Sequence, residues 1–270
     1  MESFFRLLEN RVDQCGSLLC VGLDPHVSDL TAPTAEAALE FSIRLITETA
    51  PYAAAFKPNV AFFEQFGAQG WIVLEQVIQA IAQESKRLGS EIPVVLDAKR
   101  GDISTTADAY ARSAFDHLKA HSITLSPYLG RDSVEPFIGN PQNGVFLLCK
   151  TSNPGSADLQ DLSLTTNEPL YLHVARLANQ WNVRDNIGLV IGATQPEALR
   201  KVRQAVPTLW FLCPGIGAQG GDLETALNAG LRADRKGMLI PVSRGISRAQ
   251  SPAQAAKEMG EAIRRVTSGR

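Results

Sequence analysis

The sequence predicts an α/β protein with a (β/α)8 TIM barrel, and three observations lead to this fold class. Eight short apolar runs recur at intervals of roughly 20 to 40 residues, and each is a candidate strand. Segments with helical periodicity separate them, so strands and helices alternate. The chain is 270 residues long. Eight alternating strands over this length suit a closed barrel better than a doubly wound sheet, which usually has about five to seven strands.

The candidate strands are nearly continuous apolar segments, which is typical of parallel strands buried on both faces. The run at 209–212, for example, reads Leu-Trp-Phe-Leu. The predicted strands cover residues 17–23, 52–57, 92–99, 122–128, 145–150, 187–192, 209–214 and 237–244.

Helical patterns fill the intervals between the strands. Residues 1–14 predict an amphipathic helix and lack the apolar core of a signal peptide, so the protein is expected to stay in the cytoplasm. No linker or low-complexity tract divides the chain, so residues 1–270 are expected to form a single catalytic domain. The other predicted helices span residues 34–49, 71–88, 105–120, 169–181, 196–205, 222–229 and 251–266.

Composition and charge exclude several classes of function. The net charge is -2 with Lys and Arg dispersed along the chain, which argues against a nucleic-acid or membrane-surface partner. No apolar run approaches the ~20 residues needed to cross a bilayer. The cysteines are scattered and three lie in apolar runs, so they are expected to be buried apolar residues rather than disulfides or ligands: Cys15, Cys20, Cys149 and Cys213.

Charged residues end the third predicted strand, at the edge where barrel enzymes keep their active sites. Asp97 and Lys99 are two apart on a strand and are expected to point to the same side, with Asp102 just beyond. An ion pair that merely fills the barrel top is the alternative, but buried pairs stabilise proteins poorly, and a second carboxylate exceeds what such a plug needs. These three residues are therefore the predicted centre of an active site.

Two other strand ends place charges at the same rim. Asp24 follows the first predicted strand and Lys57 ends the second. Taken alone, Asp24 is weak evidence for a site, because an aspartate before a proline is commonly a turn residue. The polar segment 151–168, which follows the fifth strand, is long enough for a functional loop and is interpreted as part of a cover over the site.

A glycine-rich stretch, 215–222, follows the seventh predicted strand and fits the dinucleotide pattern G-x-G-x-x-G. Its position argues against that interpretation, because the dinucleotide pattern belongs near the first strand of a Rossmann unit. Loops after strands seven and eight of a barrel commonly bind phosphate. Gln219, Gly220 and Arg244 are therefore predicted to bind a substrate phosphate, the alternative being a glycine turn beside a surface arginine.

The histidines show no spacing that indicates a metal site. His117 and His121 are four residues apart, but a strand is predicted to begin near His121, which would break the helical register. Both are expected at the surface, and no metal ligand is predicted.

The motif D-A-K-R-G-D-I at 97–103 resembles the D-x-K-x-x-D-[IV] signature of the orotidine 5'-phosphate decarboxylase family. Further matches spread over most of the chain, and the Lys-Pro-Asn element and the length are similar to the longer bacterial subgroup. They are G-L-D-P at 22–25, F-K-P-N at 56–59, T-S-N-P-G at 151–155, G-I-G-A-Q-G-G-D at 215–222 and R-G-I at 244–246.

The resemblance implies a homodimer that converts orotidine 5'-phosphate to UMP in pyrimidine biosynthesis without a cofactor or metal. Lys57, Asp97, Lys99 and Asp102 would form a charged tetrad, in which Lys99 protonates C6 and Asp102 reaches into the neighbouring subunit's site. The residues implied to bind substrate are Asp24 and Lys57 at the ribose, Ser152 at the pyrimidine, Gln219, Gly220 and Arg244 at the phosphate, and Ile103 and Thr106 beside Asp102 across the interface.

Two alternatives are weighed against this interpretation. A sister group of magnesium-dependent sugar-phosphate synthases and decarboxylases shares D-x-K-x-x-D, but it typically ends its second strand in glutamate and continues its signature as Asp-Ala-Gly. Lys57 and the pair Asp102 and Ile103 stand at those positions here. A barrel that has lost catalysis and serves as a scaffold would be expected to lose the charged cluster, which is intact.

Overall fold

The computed structural model describes residues 2–217 and 220–269. Its strands lie close to the predicted ranges, and all belong to one parallel sheet. They are β1 Leu19–Leu23, β2 Ala55–Pro58, β3 Val95–Arg100, β4 Ser122–Leu125, β5 Gly144–Lys150, β6 Ile187–Ile191, β7 Phe211–Leu212 and β8 Met238–Val242.

The sheet closes on itself. Its strand order is β2-β1-β8-β7-β6-β5-β4-β3, so β2 and β3 are the two ends. Parallel bridges from Phe56 to Val94 and from Asn59 to Asp97 join these ends. The predicted (β/α)8 barrel is therefore confirmed, and the carboxyl ends of all eight strands face one mouth.

Helices alternate with the strands as predicted. They are α1 Phe4–Cys15, α2 Ala35–Thr49, α3 Ala61–Glu64, α4 Gly67–Leu88, α5 Ser104–Arg112, α6 Arg131–Ile138, α7 Leu170–Trp181, α8 Pro196–Ala205, α9 Leu223–Gly230, α10 Arg244–Ser247 and α11 Pro252–Thr267. Among the described residues, no helix is both long and apolar enough to span a bilayer.

Aromatic side chains from α1 fill the amino-terminal end of the barrel. The Phe5 ring stacks on Trp210 with 6.0 Å between centroids, and Phe4 meets Phe146 edge to face at 6.1 Å. All four are nearly or fully buried. Gly144 is required beneath this cluster, because a Cβ there would lie 2.1 Å from the Phe4 ring. With this end filled, the opposite mouth is left for a ligand.

The cysteines have the expected environment. Cys20, Cys149 and Cys213 are buried and Cys15 is partly buried, all as free thiols. Burial raises the pKa of Cys20 and of Cys213 to about 12, because a thiolate is poorly solvated there. These thiols therefore stay protonated near neutral pH.

Three local predictions were wrong. The segment 105–120 is α-helical only to Arg112 and continues as a π-helical turn, Ser113–His117. Helix α6 was not among the predicted helices. His121 is partly buried rather than at the surface, because its Nδ1 accepts the Val94 N–H at 3.1 Å and its Nε2 lies 3.4 Å from Glu91 Oε1.

Candidate active site

A cavity of about 670 Å³ lies at the carboxyl ends of the strands. Six of the predicted site residues line it, and they come from five different strand ends or the loops that follow them. These residues are Asp24, Lys57, Asp97, Lys99, Ser152 and Arg244.

Asp97 lies between two lysines. Lys57 Nζ is 2.8 Å from Asp97 Oδ2, and Lys99 Nζ is 2.5 Å from Asp97 Oδ1. The two lysines differ in exposure, since the side chain of Lys57 is 8% exposed and that of Lys99 is 51% exposed. Lys99 is therefore the ammonium that an entering ligand can approach.

The pKa values of the buried pair are shifted in opposite directions. Burial alone would raise the pKa of Asp97, but Lys57 and Lys99 outweigh it and hold this pKa well below its ordinary value of 3.8. Burial alone would lower the pKa of Lys57, but Asp97 and Asp24 raise it above 10.5. Both groups are therefore charged near neutral pH.

The segment that carries Asp97 and Lys99 is bulged rather than a regular strand. Leu96 of β3 pairs with Ile123 of β4, whereas Arg100 pairs with Leu125, so three residues of β3 stand opposite one of β4. Lys99 has φ 48°, in the left-handed region. The side chains therefore do not alternate regularly between the two faces of the strand here. The bulge brings the side chains of Asp97 and Lys99 into contact.

Asp24 presents an unused acceptor at the cavity. Among the described residues, its buried Oδ1 atom has no hydrogen-bond partner. A buried carboxylate oxygen of this kind is costly unless a donor reaches it. Because Asp24 lines the cavity, a hydroxyl of a bound ligand is a suitable donor.

The loop after β5 is anchored beside the cavity. Lys150 Nζ donates to both carboxylate oxygens of Asp161 at 2.8 Å and to Ser156 Oγ at 3.2 Å. Gln160 Oε1 accepts the Thr151 N–H at 2.8 Å. These contacts place Ser152, Asn153 and Gln160 on the cavity wall.

The phosphate site predicted after β7 and β8 is only partly described. Gly220 has φ 82° and donates its N–H to Gly217 O at 2.8 Å, and it does not line the cavity. Gln219 lies outside the described residues. Arg244 begins α10 with an exposed side chain and lines the cavity together with Gly245. Of the two predicted phosphate ligands that the structure describes, Arg244 lines the cavity and Gly220 does not.

Asp102, Ile103 and Thr106 do not line the cavity of their own chain. Asp102 Oδ1 accepts the Ile103 N–H at 2.8 Å. Ile103 is 51% exposed, and Thr106 is exposed on the first turn of α5. The structure therefore separates these three residues from the cluster formed by Lys57, Asp97 and Lys99.

Sequence reasoning missed three residues of the site. Thr124 and Gln160 line the cavity, and Lys150 is buried behind it. Each is an ordinary strand or loop residue in the sequence. In the folded chain Thr124 contacts Asp97, whereas Gln160 and Lys150 hold the loop after β5. Within residues 2–217 and 220–269, no group of three or more His, Cys, Asp or Glu side chains is arranged to hold a metal ion.

Comparison with known proteins gives consistent matches. The sequence profile described as "Orotidine 5'-phosphate decarboxylase / HUMPS family" matches residues 17–259. A protein named orotidine 5'-phosphate decarboxylase from Roseiflexus sp. (strain RS-1) is 50% identical over 234 residues, which is 85% of this chain and 83% of that protein.

Two solved structures from Leishmania donovani are similar over 99% of this chain. The OMP decarboxylase has a TM-score of 0.89 and 56% identity, with 99% of its own chain covered. The UMP synthase has a TM-score of 0.91 and 57% identity, and this chain spans 57% of its length. By sequence and by structure, the chain belongs to the orotidine 5'-phosphate decarboxylase / HUMPS family.

Proposed function

We propose that this protein decarboxylates orotidine 5'-phosphate to UMP without a cofactor, with the whole chain acting as one catalytic domain. The observation that carries the proposal is the carboxylate of Asp97 held between the ammonium groups of Lys57 and Lys99 at the barrel mouth. Relatives named orotidine 5'-phosphate decarboxylase, one of which is 50% identical to this chain, support the substrate. A cytoplasmic location belongs to the proposal, and the free thiols support it.

In the proposed reaction, the bond between C6 of the pyrimidine and the carboxylate carbon breaks, and its electron pair stays on C6. CO2 leaves, and a proton passes from Lys99 Nζ to C6. The resulting neutral amine regains a proton from water, which its half-exposed side chain allows. A fixed ammonium beside the developing charge stabilises it before the proton moves, so Lys99 serves both steps.

Asp97 and Lys57 would be the other two fixed charges beside the Lys99 ammonium during this step. The Asp97 carboxylate orients the Lys99 ammonium through their contact, and it would lie near the carboxylate that departs as CO2. Lys57 neutralises one oxygen of Asp97 from the buried side. The buried Oδ1 of Asp24 would accept from a ribose hydroxyl, with Lys57 beside it.

The remaining contacts would fix the two ends of the nucleotide. Ser152, on the loop after β5, would contact the pyrimidine. Arg244, with Gln219 and Gly220, would bind the 5'-phosphate, at the end of a barrel where phosphates commonly bind. Binding energy from this remote group can offset the cost of fixing the charged cluster around the substrate.

We also propose that the active form is a homodimer in which Asp102, Ile103 and Thr106 complete the partner's site. Two observations support this. These residues do not line the cavity of their own chain. Four large apolar or aromatic side chains that follow β3 or β4 are exposed and would be covered in a dimer, namely Ile103, Tyr110, Tyr128 and Leu129.

The charge arrangement favours this activity over the magnesium-dependent one. A divalent cation that used Asp97 as a ligand would have to displace a lysine from one of its two oxygens. It would also lie beside two ammonium groups, which repel it. Lys57 thus occupies the place where a metal site would need an acidic or neutral ligand.

The test is to follow the absorbance of orotidine 5'-phosphate with purified protein in the presence of a chelator. The proposal expects turnover to UMP that added magnesium does not increase, and no turnover by Lys99→Ala with an unchanged melting temperature. Turnover only with magnesium and a sugar phosphate would replace the proposal with the sister activity. Near-normal turnover by Lys99→Ala would remove Lys99 as the proton donor.

A further inference from the structure

One residue of β4 stands opposite the whole bulge that carries the charged pair. Leu96 pairs with Ile123 and Arg100 pairs with Leu125, so Thr124 alone faces residues 97–99. Thr124 is 1% exposed, and its side chain reaches the cavity wall. In a regular pair of strands, backbone groups of β4 would hydrogen-bond these residues. The bulge therefore depends on Thr124 for the hydrogen bonds that are missing from the backbone.

The Thr124 hydroxyl makes three hydrogen bonds. Its oxygen accepts the backbone N–H of Ala98 at 3.0 Å and that of Lys99 at 2.9 Å. It donates its own hydrogen to Asp97 Oδ1 at 3.1 Å. A hydroxyl has one donor and two acceptor positions, so the full capacity of this group is used on three consecutive residues.

These bonds bear on the geometry of the Lys99 ammonium. Lys99 has φ 48°, a conformation that a residue with a Cβ adopts rarely and that the surroundings must hold. The hydroxyl fixes the Lys99 backbone and the same Asp97 oxygen that Lys99 Nζ contacts at 2.5 Å. The Thr124 hydroxyl therefore contacts both the backbone of Lys99 and the carboxylate oxygen that binds the Lys99 ammonium.

We propose that Thr124 is a positioning residue for decarboxylation, which sets the Lys99 ammonium and the Asp97 carboxylate relative to the reacting carbon. This inference rests on the proposed function. Displacement of a catalytic group by about 1 Å can cost roughly a hundredfold in rate. Loss of the hydroxyl should therefore lower kcat much more than it changes KM, because Thr124 holds the charged pair rather than the nucleotide's ends.

The chain offers a matched control on the same strand. Ser122 is two residues earlier on β4 and is 0% exposed, and its Oγ has no hydrogen-bond partner among the described residues. Ser122→Ala removes a buried hydroxyl from β4 without touching the bulge. Thr124→Val removes the hydroxyl and keeps the shape, whereas Thr124→Ser keeps the hydroxyl.

The experiment measures kcat and KM for orotidine 5'-phosphate, with melting temperatures, for the wild type and these variants. We expect Thr124→Val to lose roughly a hundredfold in kcat with KM within about threefold. Thr124→Ser should stay within about tenfold of the wild type, and Ser122→Ala should equal it. If Thr124→Val does not fold, Thr124→Cys, whose thiol is a weaker donor and acceptor, should fall clearly below Thr124→Ser in kcat.

Three results would overturn the inference: an unchanged kcat in Thr124→Val, an equal loss in Thr124→Ser and Thr124→Val, or wild-type kcat in Thr124→Cys. Each presupposes an active wild type. A wild type that does not turn over orotidine 5'-phosphate contradicts the proposed function instead, so the two failures are distinguished by the first measurement in the series.

Discussion

At the scale of single residues, the charges of the site reinforce one another. Asp97 would be costly to bury alone, and so would Lys57, but each shifts the pKa of the other toward the charged form. The contribution of Asp97 to stability is present above its ordinary pKa of 3.8 and is lost as pH falls through its lower folded pKa. That of Lys57 is present below 10.5 and is lost only as pH rises through its higher folded pKa.

This electrostatic arrangement predicts the acid side of the pH profile. Neither Asp97 nor Lys57 changes charge between about pH 4 and pH 10, so the acid limb of kcat/KM should follow the substrate phosphate, whose second pKa is about 6. The measurement compares orotidine 5'-phosphate with orotidine from pH 4.5 to 8. The limb near 6 should disappear with orotidine, and its persistence would show that a group on the protein titrates there.

Arg244→Ala is predicted to act through the phosphate alone. A charge-assisted contact of this kind contributes about 1.5 to 3 kcal/mol, so kcat/KM for orotidine 5'-phosphate should fall by roughly ten- to a hundredfold. The kcat/KM for orotidine should not change. Arg248→Ala is the matched control, since Arg248 binds Asp29 at 3.1 Å and does not line the cavity. Equal proportional losses with both substrates would place Arg244 elsewhere in the mechanism.

The charged part of the site was predictable because strand ends converge in a barrel. Asp24, Lys57, Asp97 and Lys99 each end or follow an apolar run, and the structure brings them to one cavity. Thr124 was not predictable, because its importance arises from a bulge that depends on the register between two strands distant in sequence. Periodicity within one strand carries no information about that register.

At the scale of elements, the apolar runs of the sequence predicted the positions of the strands well. They predicted less accurately where each strand begins and ends. Strand β7 comprises Phe211–Leu212, although the apolar run is longer. Helix α6 was missed because Gly130 precedes it with φ 93° and Pro136 lies inside it, and both residues usually argue against a helix. In each case tertiary packing overrides the local pattern.

The buried Lys150 ammonium holds the loop after β5 through its ion pair with the half-exposed Asp161 carboxylate, which leads to a prediction about Lys150. Lys150→Met should free the segment 154–168, raise KM by roughly tenfold and make this segment more sensitive to protease, because Ser156 and Asp161 lose their contacts with the Lys150 ammonium. Lys257→Met, at an exposed position of α11, is the control. Unchanged protease cleavage in Lys150→Met would show that the loop is held by other contacts.

At the scale of the whole molecule, the barrel has one filled end and one open end. Phe4 and Phe5 of α1 pack into the amino-terminal end, and the charged cluster lies at the other. The exposed residues after β3 and β4 adjoin the open end and include Ile103 at 51% and Tyr128 at 79% exposure. A partner that covers them would bring its own Asp102 toward the cavity.

In the proposed homodimer, two copies of the chain together assemble the charges that decarboxylate the substrate. Lys99→Ala and Asp102→Ala should each be inactive as homodimers. A mixed dimer contains one site with both defects and one with neither, under two-fold symmetry. Random reassortment makes about half of the dimers mixed, so the mixture should recover about a quarter of wild-type activity.

The measurement is made by dissociating the two purified variants, reassociating them together and assaying turnover of orotidine 5'-phosphate against the unmixed proteins. Differently tagged chains that co-purify demonstrate that mixed dimers have formed. We expect recovery to about a quarter of the wild-type rate. Co-purified mixed dimers with no more activity than the unmixed variants would contradict it, because Asp102 would then act within its own chain or not at all.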